Sequence, residues 1–506
     1  MKKNPLKSLI KSIVRTLWKY FLDPFFVNLL PQSKTKSKLK NIGYRIEHRA
    51  WWPKTPKALS IPYVNTNDID PYLLNELSEL GKIEFALQPS QQFLTNITIH
   101  QYNPPQYIEP HSLGAVYGLI MRHLHSLDFD VIFLAPWLKR GGADLGTLHH
   151  INAAHKKGHK TLLITTEYAT SPWIDKLPNL VTYLDLGKFA KPLSFDKKIE
   201  LLARILLQSS CQTIHNINSE LGWEVYKRFG KQLTVMHKKL FASIFCEDET
   251  SEPNIFFGYA PKYLAETHSV LDGIICDTTS YATTQRSLTG LSHLLYSIYF
   301  PFLGQLNKYC AVSNAPILWA SRFTKQKRPN LLYQIAKNMP EHQFHVYGEL
   351  DPACQTILEK LKQLPNVKYF GKYDSFAAIA NKRQYSCFLY TSQYDGLPNV
   401  LIEAITHGLP VIACDVGGVG ELICEQCLLD DVGDFDVHLK IKTLLNNPDK
   451  LFAAWQYSVH LLQTRHSWEH FMSSLEIIDG YFPNLSQQAY KTKYYDNVRV
   501  LSKPNN

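Results

Sequence analysis

Short, uninterrupted apolar runs recur along residues 129–300 and are separated by amphipathic stretches. A run of four to eight apolar residues is typical of a strand buried on both faces of a sheet, and apolar residues spaced three and four apart predict a helix. Strands are predicted at 131–136, 161–167, 180–186, 213–217, 233–237 and 272–277, and helices up to about 157 and at 197–207. Strands that alternate with helices predict a parallel sheet covered by helices on both faces.

A second series of the same kind begins near residue 315. Strands are predicted at 316–321, 342–348, 366–371, 385–392 and 409–416, and helices at 330–338, 355–363 and 399–406. The chain is therefore predicted to be an α/β protein with two doubly wound Rossmann-like domains, 128–305 and 306–482, that face each other across a cleft. The second domain includes a late amphipathic helix, 466–481, and residues 483–506 are predicted to form a polar tail.

The charge of the chain is concentrated at one end. Residues 1–40 contain ten basic residues and one acidic residue, which accounts for +9 of the formal net charge of +10. The nearly neutral remainder argues against a nucleic-acid-binding protein. Hydrophobic residues make up 45% and charged residues 19% of the chain, which is ordinary globular composition and excludes a mainly disordered, collagenous or coiled-coil protein.

The basic segment 1–40 has the pattern of a helix that lies on a membrane surface. Lys7, Lys11, Arg15 and Lys19 recur at steps of four and share one side of a helix, whereas Leu9, Ile13 and other apolar residues lie on the opposite side. These charges exclude a transmembrane span. We predict an arm on an anionic membrane, with self-packing of an amphipathic helix as the alternative, and a cytoplasmic protein that is peripheral on the inner face of the cell membrane. Residues 41–127 are predicted to be an N-terminal extension of unknown role.

Nine cysteines occur at irregular spacing, which favours reduced thiols over a disulfide framework. Cys424 and Cys427 form a single CxxC with no second pair nearby, so packing is a better interpretation than a metal or redox site.

Candidate chemistry lies where strands of the second domain end. Arg322 follows the first strand, and Lys327 follows five positions later. This pair suits a diphosphate, because the planar arginine guanidinium can form two parallel hydrogen bonds and the flexible lysine supplies a second positive charge. Asp395 lies on the next such loop, and Glu403 lies eight residues later, on the helix that this loop opens. Backbone N–H groups at the start of that helix are predicted to face a phosphate. They belong to Gly396, Leu397, Pro398, Asn399 and Val400, of which proline contributes no donor.

Glycine-rich turns follow strands in both domains. Gly141 and Gly142 follow the opening strand of the first domain, and this position favours a ligand-binding loop. The turn at Gly417, Gly418 and Gly420 is a poor dinucleotide fingerprint, so a close backbone approach is the better interpretation and a nicotinamide dehydrogenase is disfavoured.

Together these motifs resemble the retaining glycosyltransferases of family 4, which have the GT-B fold. The resemblance rests on PWLKRGGAD in the first domain, on Arg322 and Lys327, and on Asp395 to Glu403 followed by EAITHGLPVIACDVGG and Glu421. It implies that Arg322 and Lys327 neutralise the donor diphosphate, that Asp395 contacts hydroxyls of the donor sugar, and that Glu403 holds the ribose. It also implies that the nucleotide base of the donor lies near 368–372 and that helix 466–481 crosses back onto the first domain. By the same resemblance, no metal or other cofactor is needed.

Two departures from the family pattern affect the predicted function. Asp395 replaces the first glutamate of the motif, and Ile217 stands where the family often has a histidine beside the reacting centre. The alternatives there are His215, Asn218 or neither, since a single histidine in a strand is often a structural residue. We predict transfer of a sugar from a nucleotide-diphosphate donor to a glycan or lipid-linked acceptor, in bacterial surface polysaccharide synthesis. The alternative is a membrane scaffold that binds a nucleotide sugar without turnover.

Overall fold

The computed structural model describes residues 112–249, 256–429 and 437–484. The predicted membrane arm 1–40, most of the extension 41–127 and most of the tail 483–506 lie outside these residues. Within the described part of the chain, no helix combines the length and the hydrophobicity that a bilayer crossing requires.

The first domain is built on a sheet of seven parallel strands in the order β3-β2-β1-β4-β5-β8-β9. Val131 of the central strand β1 pairs with Thr161 of β2 on one side and Thr213 of β4 on the other. A separate antiparallel hairpin is formed by β6 and β7. The strands are β1 (Val131–Ala135), β2 (Thr161–Thr165), β3 (Thr182–Asp185), β4 (Thr213–Ile217), β5 (Lys239–Ile244), β6 (Asp248–Glu249), β7 (Phe256–Phe257), β8 (Gly273–Cys276) and β9 (Leu295–Ser297).

Helices cover both faces of this sheet, as the continuous burial of its central strands requires. Several begin at a side chain that accepts a hydrogen bond from the first turn, such as Ser194, Ser219 and Thr278. The helices are α1 (Leu113–Leu124), α2 (Gly142–Lys156), α3 (Leu186–Phe189), α4 (Phe195–Gln208), α5 (Glu220–Val235), α6 (Tyr259–Thr267) and α7 (Thr279–Thr289).

The strand predicted at 233–237 is wrong. Leu233 to Val235 form the end of helix α5, where Leu233 is buried but Val235 and Met236 are 58% and 47% exposed. The fifth strand of the sheet is instead β5, from Lys239 to Ile244, all buried after the first residue. The apolar composition of 233–237 suggested a strand, but only one of its apolar residues enters the core.

The second domain has six parallel strands in the order β12-β11-β10-β13-β14-β15. Its strands are β10 (Ile317–Ala320), β11 (Phe344–Tyr347), β12 (Val367–Tyr369), β13 (Cys387–Tyr390), β14 (Val411–Cys414) and β15 (Leu428–Leu429). Its helices are α8 (Pro329–Asn338), α9 (Gln355–Lys362), α10 (Phe376–Ala380), α11 (Asn399–Thr406), α12 (Val437–Leu445) and α13 (Pro448–Arg465), and α14 (Trp468–Glu476) follows. The prediction of two doubly wound Rossmann-like domains is confirmed.

Two segments move the predicted domain boundaries. Helix α1 buries Val116, Ile120 and Leu124 in the core of the first domain, so that domain begins before residue 128. At the other end, α14 leaves the second domain and packs against the first. Phe471, Leu475 and Tyr481 share a buried cluster with residues of α2, β5 and β8. The structure therefore has the crossing-back that the family resemblance implied for 466–481.

Candidate functional site

The strand order of both sheets points to the same place for a ligand. In each sheet the chain changes direction beside the central strand, between β1 and β4 in the first domain and between β10 and β13 in the second. In doubly wound sheets, ligands bind beyond the carboxyl ends of the strands at this switch point. Gly141 and Gly142 follow β1, whereas Arg322, Lys327 and Asp395 follow β10 and β13.

The loop after β13 opens a helix whose first turn has no side-chain cap. Helix α11 begins at Asn399 with Pro398 in the capping position, and no side chain there accepts from the first turn. Uncapped N–H groups and the positive end of the helix dipole form a favourable environment for an anion. The geometry therefore fits the predicted phosphate contact at 396–400.

Lys327, Asp395 and Tyr390 form one compact polar cluster beside this helix. The Lys327 ammonium forms an ion pair with the Asp395 carboxylate and donates to the Tyr390 hydroxyl at 2.9 Å. That hydroxyl also donates to Asp395. Burial, together with the charge of Asp395, raises the pKa of Tyr390 well above its usual value, so the hydroxyl remains a neutral donor. The structure thus joins two predicted site residues that are 68 positions apart in the sequence.

Arg322 is the exposed member of the predicted set. It follows β10 directly, and its side chain lies at the surface rather than in the cluster of Lys327 and Asp395. An exposed guanidinium at the switch point is accessible to an incoming anion.

The glycine loop of the first domain lies directly opposite. Gly141 occupies the N-terminal capping position of helix α2 with an extended backbone. A Cβ on Gly142 would lie 3.3 Å from the side-chain nitrogen Nδ2 of Asn399, at the start of α11. Arg140 reaches further: it donates to the Tyr373 carbonyl at 2.7 Å, with its guanidinium 4.8 Å from the centre of the Tyr373 ring. The two predicted ligand loops therefore meet across the cleft.

Glu403 lies beneath this contact, half-buried on α11. Burial raises its pKa, and the positive charge of Arg140 partly opposes that effect. An arginine and a buried carboxylate from opposite domains thus flank the position where the resemblance puts the ribose.

Two further carboxylates at the cleft were not identified as site residues from the sequence. Glu421 accepts from the N–H groups of Ser280 at 2.6 Å and Thr279 at 3.0 Å, which begin helix α7 of the first domain, and from the Tyr299 hydroxyl. Burial alone would raise the pKa of Glu421, but these hydrogen bonds outweigh burial and the pKa is lowered. Asp277 directly follows β8 and accepts from the Leu397 N–H at 3.4 Å. Its position at the end of the predicted strand 272–277 was the signal available in the sequence.

The glycine turn after β14 is a site of close approach between the domains. A Cβ on Gly418 would lie 2.2 Å from the methyl group of Thr278, and Gly417 has a φ of 54° with the Asp395 carbonyl 1.8 Å from the position of a Cβ. A side chain at Gly417 would require movement of the backbone, and one at Gly418 would require Thr278 to move. The interpretation of this turn as a close approach is confirmed.

His215 lies away from the cleft, in the core of the first domain. It is fully buried on β4, with one ring nitrogen 3.0 Å from the Tyr481 hydroxyl and the other 2.9 Å from the Ser243 hydroxyl. Burial lowers its pKa to about 3, so the ring is neutral. The structure therefore does not bring His215 to the reacting centre, as a catalytic role would require. The other candidate, Asn218, follows β4 with a φ of 62° and is half-buried.

We expect Tyr481→Phe to destabilise the protein without altering its chemistry. The Tyr481 hydroxyl also contacts the His150 ring nitrogen at 2.6 Å, so its loss leaves one ring nitrogen of each of two buried imidazoles without its partner. Each unsatisfied group costs about 1–3 kcal/mol. Urea unfolding should show a loss of about 2–4 kcal/mol, whereas Tyr457→Phe, at a 46% exposed tyrosine, should show almost none. Unchanged stability in Tyr481→Phe would contradict the anchoring role of this residue.

The described residues contain no group of three or more histidine, cysteine, aspartate or glutamate side chains arranged to hold a metal ion. Metal independence of the activity stays a prediction.

The matches to known proteins agree with this geometry. Residues 313–458 match the family model described as Glycosyl transferases group 1. The O-antigen biosynthesis glycosyltransferase WbnH of Escherichia coli is 28% identical over 131 residues, which cover 26% of this chain and 38% of WbnH.

Two solved structures have the same fold. HepE from Anabaena, solved with UDP and glucose, has a TM-score of 0.54 at 14% identity, over 69% of this chain and 98% of HepE. A glycosyltransferase from Rickettsia africae has a TM-score of 0.55 at 15% identity, over 71% of this chain and 99% of its own. The fold of the chain is therefore GT-B, and its residues 313–458 are similar to the group 1 glycosyltransferases.

Proposed function

We propose that the chain is a retaining glycosyltransferase of family 4 that transfers a sugar from a nucleotide-diphosphate donor. The observation that carries this proposal is the meeting of the two switch-point loops. Lys327 and the uncapped start of α11 lie on one side of the cleft, and Gly142 approaches that helix start from the other. The family match over 313–458 includes Lys327, Asp395 and Glu403, which supports the same proposal.

The diphosphate is proposed to bind between Lys327, Arg322 and the first turn of α11. Breaking the bond between sugar and phosphate builds negative charge on the leaving diphosphate, so fixed cations and N–H dipoles stabilise the transition state more than the ground state. Asp395 pairs with Lys327 in the structure. The donor would replace this ion pair with two new interactions: its phosphate would pair with Lys327, and its sugar hydroxyls would donate hydrogen bonds to Asp395.

The nucleoside is proposed to lie against the second domain below Arg140. Glu403 would accept hydrogen bonds from the ribose hydroxyls, and its partial burial strengthens such bonds. Arg140 and Tyr373 would close over this position, since the arginine already bridges the two domains there.

The acceptor is proposed to be a glycan or a lipid-linked glycan in bacterial surface polysaccharide synthesis, at the inner face of the cell membrane. Support comes from the similarity to WbnH, which is named for O-antigen biosynthesis, and from the cationic residues of 1–40. Lipid-linked acceptors lie on an anionic leaflet, which attracts basic segments at about 1 kcal/mol per charge.

Replacing Lys7, Lys11, Arg15 and Lys19 with glutamine should weaken membrane binding more than tenfold. Removing four charges at about 1 kcal/mol each is sufficient for this loss. Cosedimentation with vesicles that contain anionic lipid measures it, and a matched variant with four neutralised lysines of the body (Lys188, Lys197, Lys231 and Lys360) is the control. Equal sedimentation of the two variants would contradict membrane binding through residues 1–40.

A donor panel tests the proposed activity. Purified protein is incubated with nucleotide sugars based on UDP, GDP, ADP and dTDP, with EDTA, and with a lipid-acceptor extract. We expect release of one nucleoside diphosphate, undiminished by EDTA, and a product that NMR shows to retain the anomeric configuration of the donor. Binding without release, in the presence of acceptor, would favour the scaffold, and an inverted product would refute retention.

A further inference from the structure

Asp277 of the first domain lies against the loop that the donor is proposed to occupy. It directly follows β8, is 6% exposed, and accepts from the Leu397 N–H at 3.4 Å through Oδ2. A Cβ on Gly396 would lie 2.7 Å from the same oxygen. The carboxyl group therefore packs on the backbone of residues 396–397, and glycine at 396 permits this approach.

The surroundings of this carboxyl group are unfavourable for its charge. Burial raises the pKa of Asp277 to about 7, and the negative charges of Asp395 and Glu421 contribute to the increase. The second oxygen, Oδ1, has no hydrogen-bond partner among the described residues. The charged groups that act on it are both acidic: Asp395, which is paired with Lys327, and Glu421, which is held by the first turn of α7. Asp277 is thus a buried acid whose cost of ionisation is only weakly offset.

A diphosphate at the start of α11 would add negative charge close to this group. Two like charges within several Å at the effective dielectric of a protein interact by more than 1 kcal/mol, which corresponds to about a tenfold change in an equilibrium constant. The negative charges of Asp277 and of the donor therefore repel each other, and protonation of Asp277 removes this repulsion.

We propose that Asp277 is a positioning residue that couples donor binding to proton uptake: it holds the 396–397 loop across the cleft and becomes protonated when the anionic donor binds. This inference rests on the proposed function, because it requires the donor diphosphate at α11. It assigns to the first domain a part in donor affinity that neither the motif of the second domain nor the glycine loop supplies.

Asp277→Asn tests the inference, because asparagine keeps the shape and the acceptor oxygen but removes the charge. Binding of UDP, GDP and ADP to the full chain is measured by calorimetry from pH 5.5 to 8.5, in pairs of buffers with different ionisation enthalpies. At pH 8, we expect the Asn variant to bind the preferred diphosphate on the order of tenfold more tightly than the native protein. It should take up fewer protons on binding, and at pH 5.5 the two affinities should agree within about twofold, because native Asp277 is then protonated.

Asp196→Asn is the matched control, since it makes the same change of net charge at an exposed carboxylate paired with Arg228. It should bind the diphosphate as the native protein does at every pH. Equal affinity and equal proton uptake in native protein and Asp277→Asn at pH 8 would overturn the inference and leave the donor site intact. If no diphosphate binds to the native protein at any pH, the proposed function fails with it.

Thermal unfolding provides a readout that needs no ligand. The pKa of Asp277 is raised on folding, so the stability that its protonated form contributes is present below the unfolded pKa near 3.8 and is lost as pH rises toward 7. The Asn variant should therefore melt above the native protein at pH 8 and close to it at pH 4. If the Asn variant does not fold, Asp277→Ala allows the same comparison, and no difference between pH 4 and pH 8 would contradict a buried charge at this position.

Discussion

Lys327→Met should lower the rate of sugar transfer by about 10²–10³-fold, the cost of removing one donor that stabilises developing charge. The Lys327 side chain is 12% exposed and pairs with Asp395 on the loop that opens α11, so the leaving diphosphate would lose a fixed counter-charge. Binding of the nucleoside diphosphate should weaken as well, because the product carries the same charge. Steady-state rates and calorimetry measure both effects.

Lys325→Met is the matched control for this variant. Lys325 lies in the same short turn, Lys325–Lys327, but its side chain is exposed. It should retain activity within a few-fold. A Lys327→Met protein that melts normally and transfers sugar at the native rate would show that this cation takes no part in catalysis.

Asp395→Ala should abolish transfer while diphosphate binding is kept. Without its carboxylate the sugar hydroxyls lose their proposed acceptor, and a loss on the order of 10³-fold in kcat/KM is expected from the loss of transition-state positioning. Lys327 is released from its ion pair at the same time, so the nucleoside diphosphate should bind as tightly as before or more tightly. This separation of binding from turnover distinguishes the role of Asp395 from that of Lys327.

Asp374→Ala serves as the control for Asp395→Ala, because it removes an exposed aspartate of the same domain. A scaffold without turnover predicts a different result. A scaffold would have no transfer activity for Asp395→Ala to remove, and the variant would still assemble with its partners. Retained transfer in Asp395→Ala would exclude the proposed contact with the donor sugar.

The sequence predicts most of the strands, because strands buried on both faces are continuous apolar runs such as 131–135 and 411–414. It fails at 233–237, where apolar residues end an amphipathic helix and most of them are exposed. A run of that composition does not reveal whether its side chains enter the core. Burial depends on the neighbouring elements, which the local pattern does not contain.

The sequence likewise predicts only part of the candidate site. Strand-end loops and a helix start are local features, so the spacing of residues in the sequence is enough to predict Lys327, Asp395 and the 396–400 turn. Contacts between domains are not local. The hydrogen bond from Leu397 to Asp277 joins residues 120 positions apart, and the one from Arg140 to Tyr373 joins residues 233 apart. His215 illustrates the converse, because it lies in the middle of β4 and points into the core, where the C-terminal segment packs over it.

The donor diphosphate is proposed to bind between Lys327 and the first turn of α11, facing Gly142. A crystal structure of the full chain with the nucleoside diphosphate that binds most tightly tests this site most directly. Phosphate oxygens are expected within hydrogen-bonding distance of the Lys327 ammonium and of backbone N–H groups of 396–400, with the ribose at Glu403. Density for the diphosphate at any other site, with the Lys327–Asp395 ion pair intact, would contradict it.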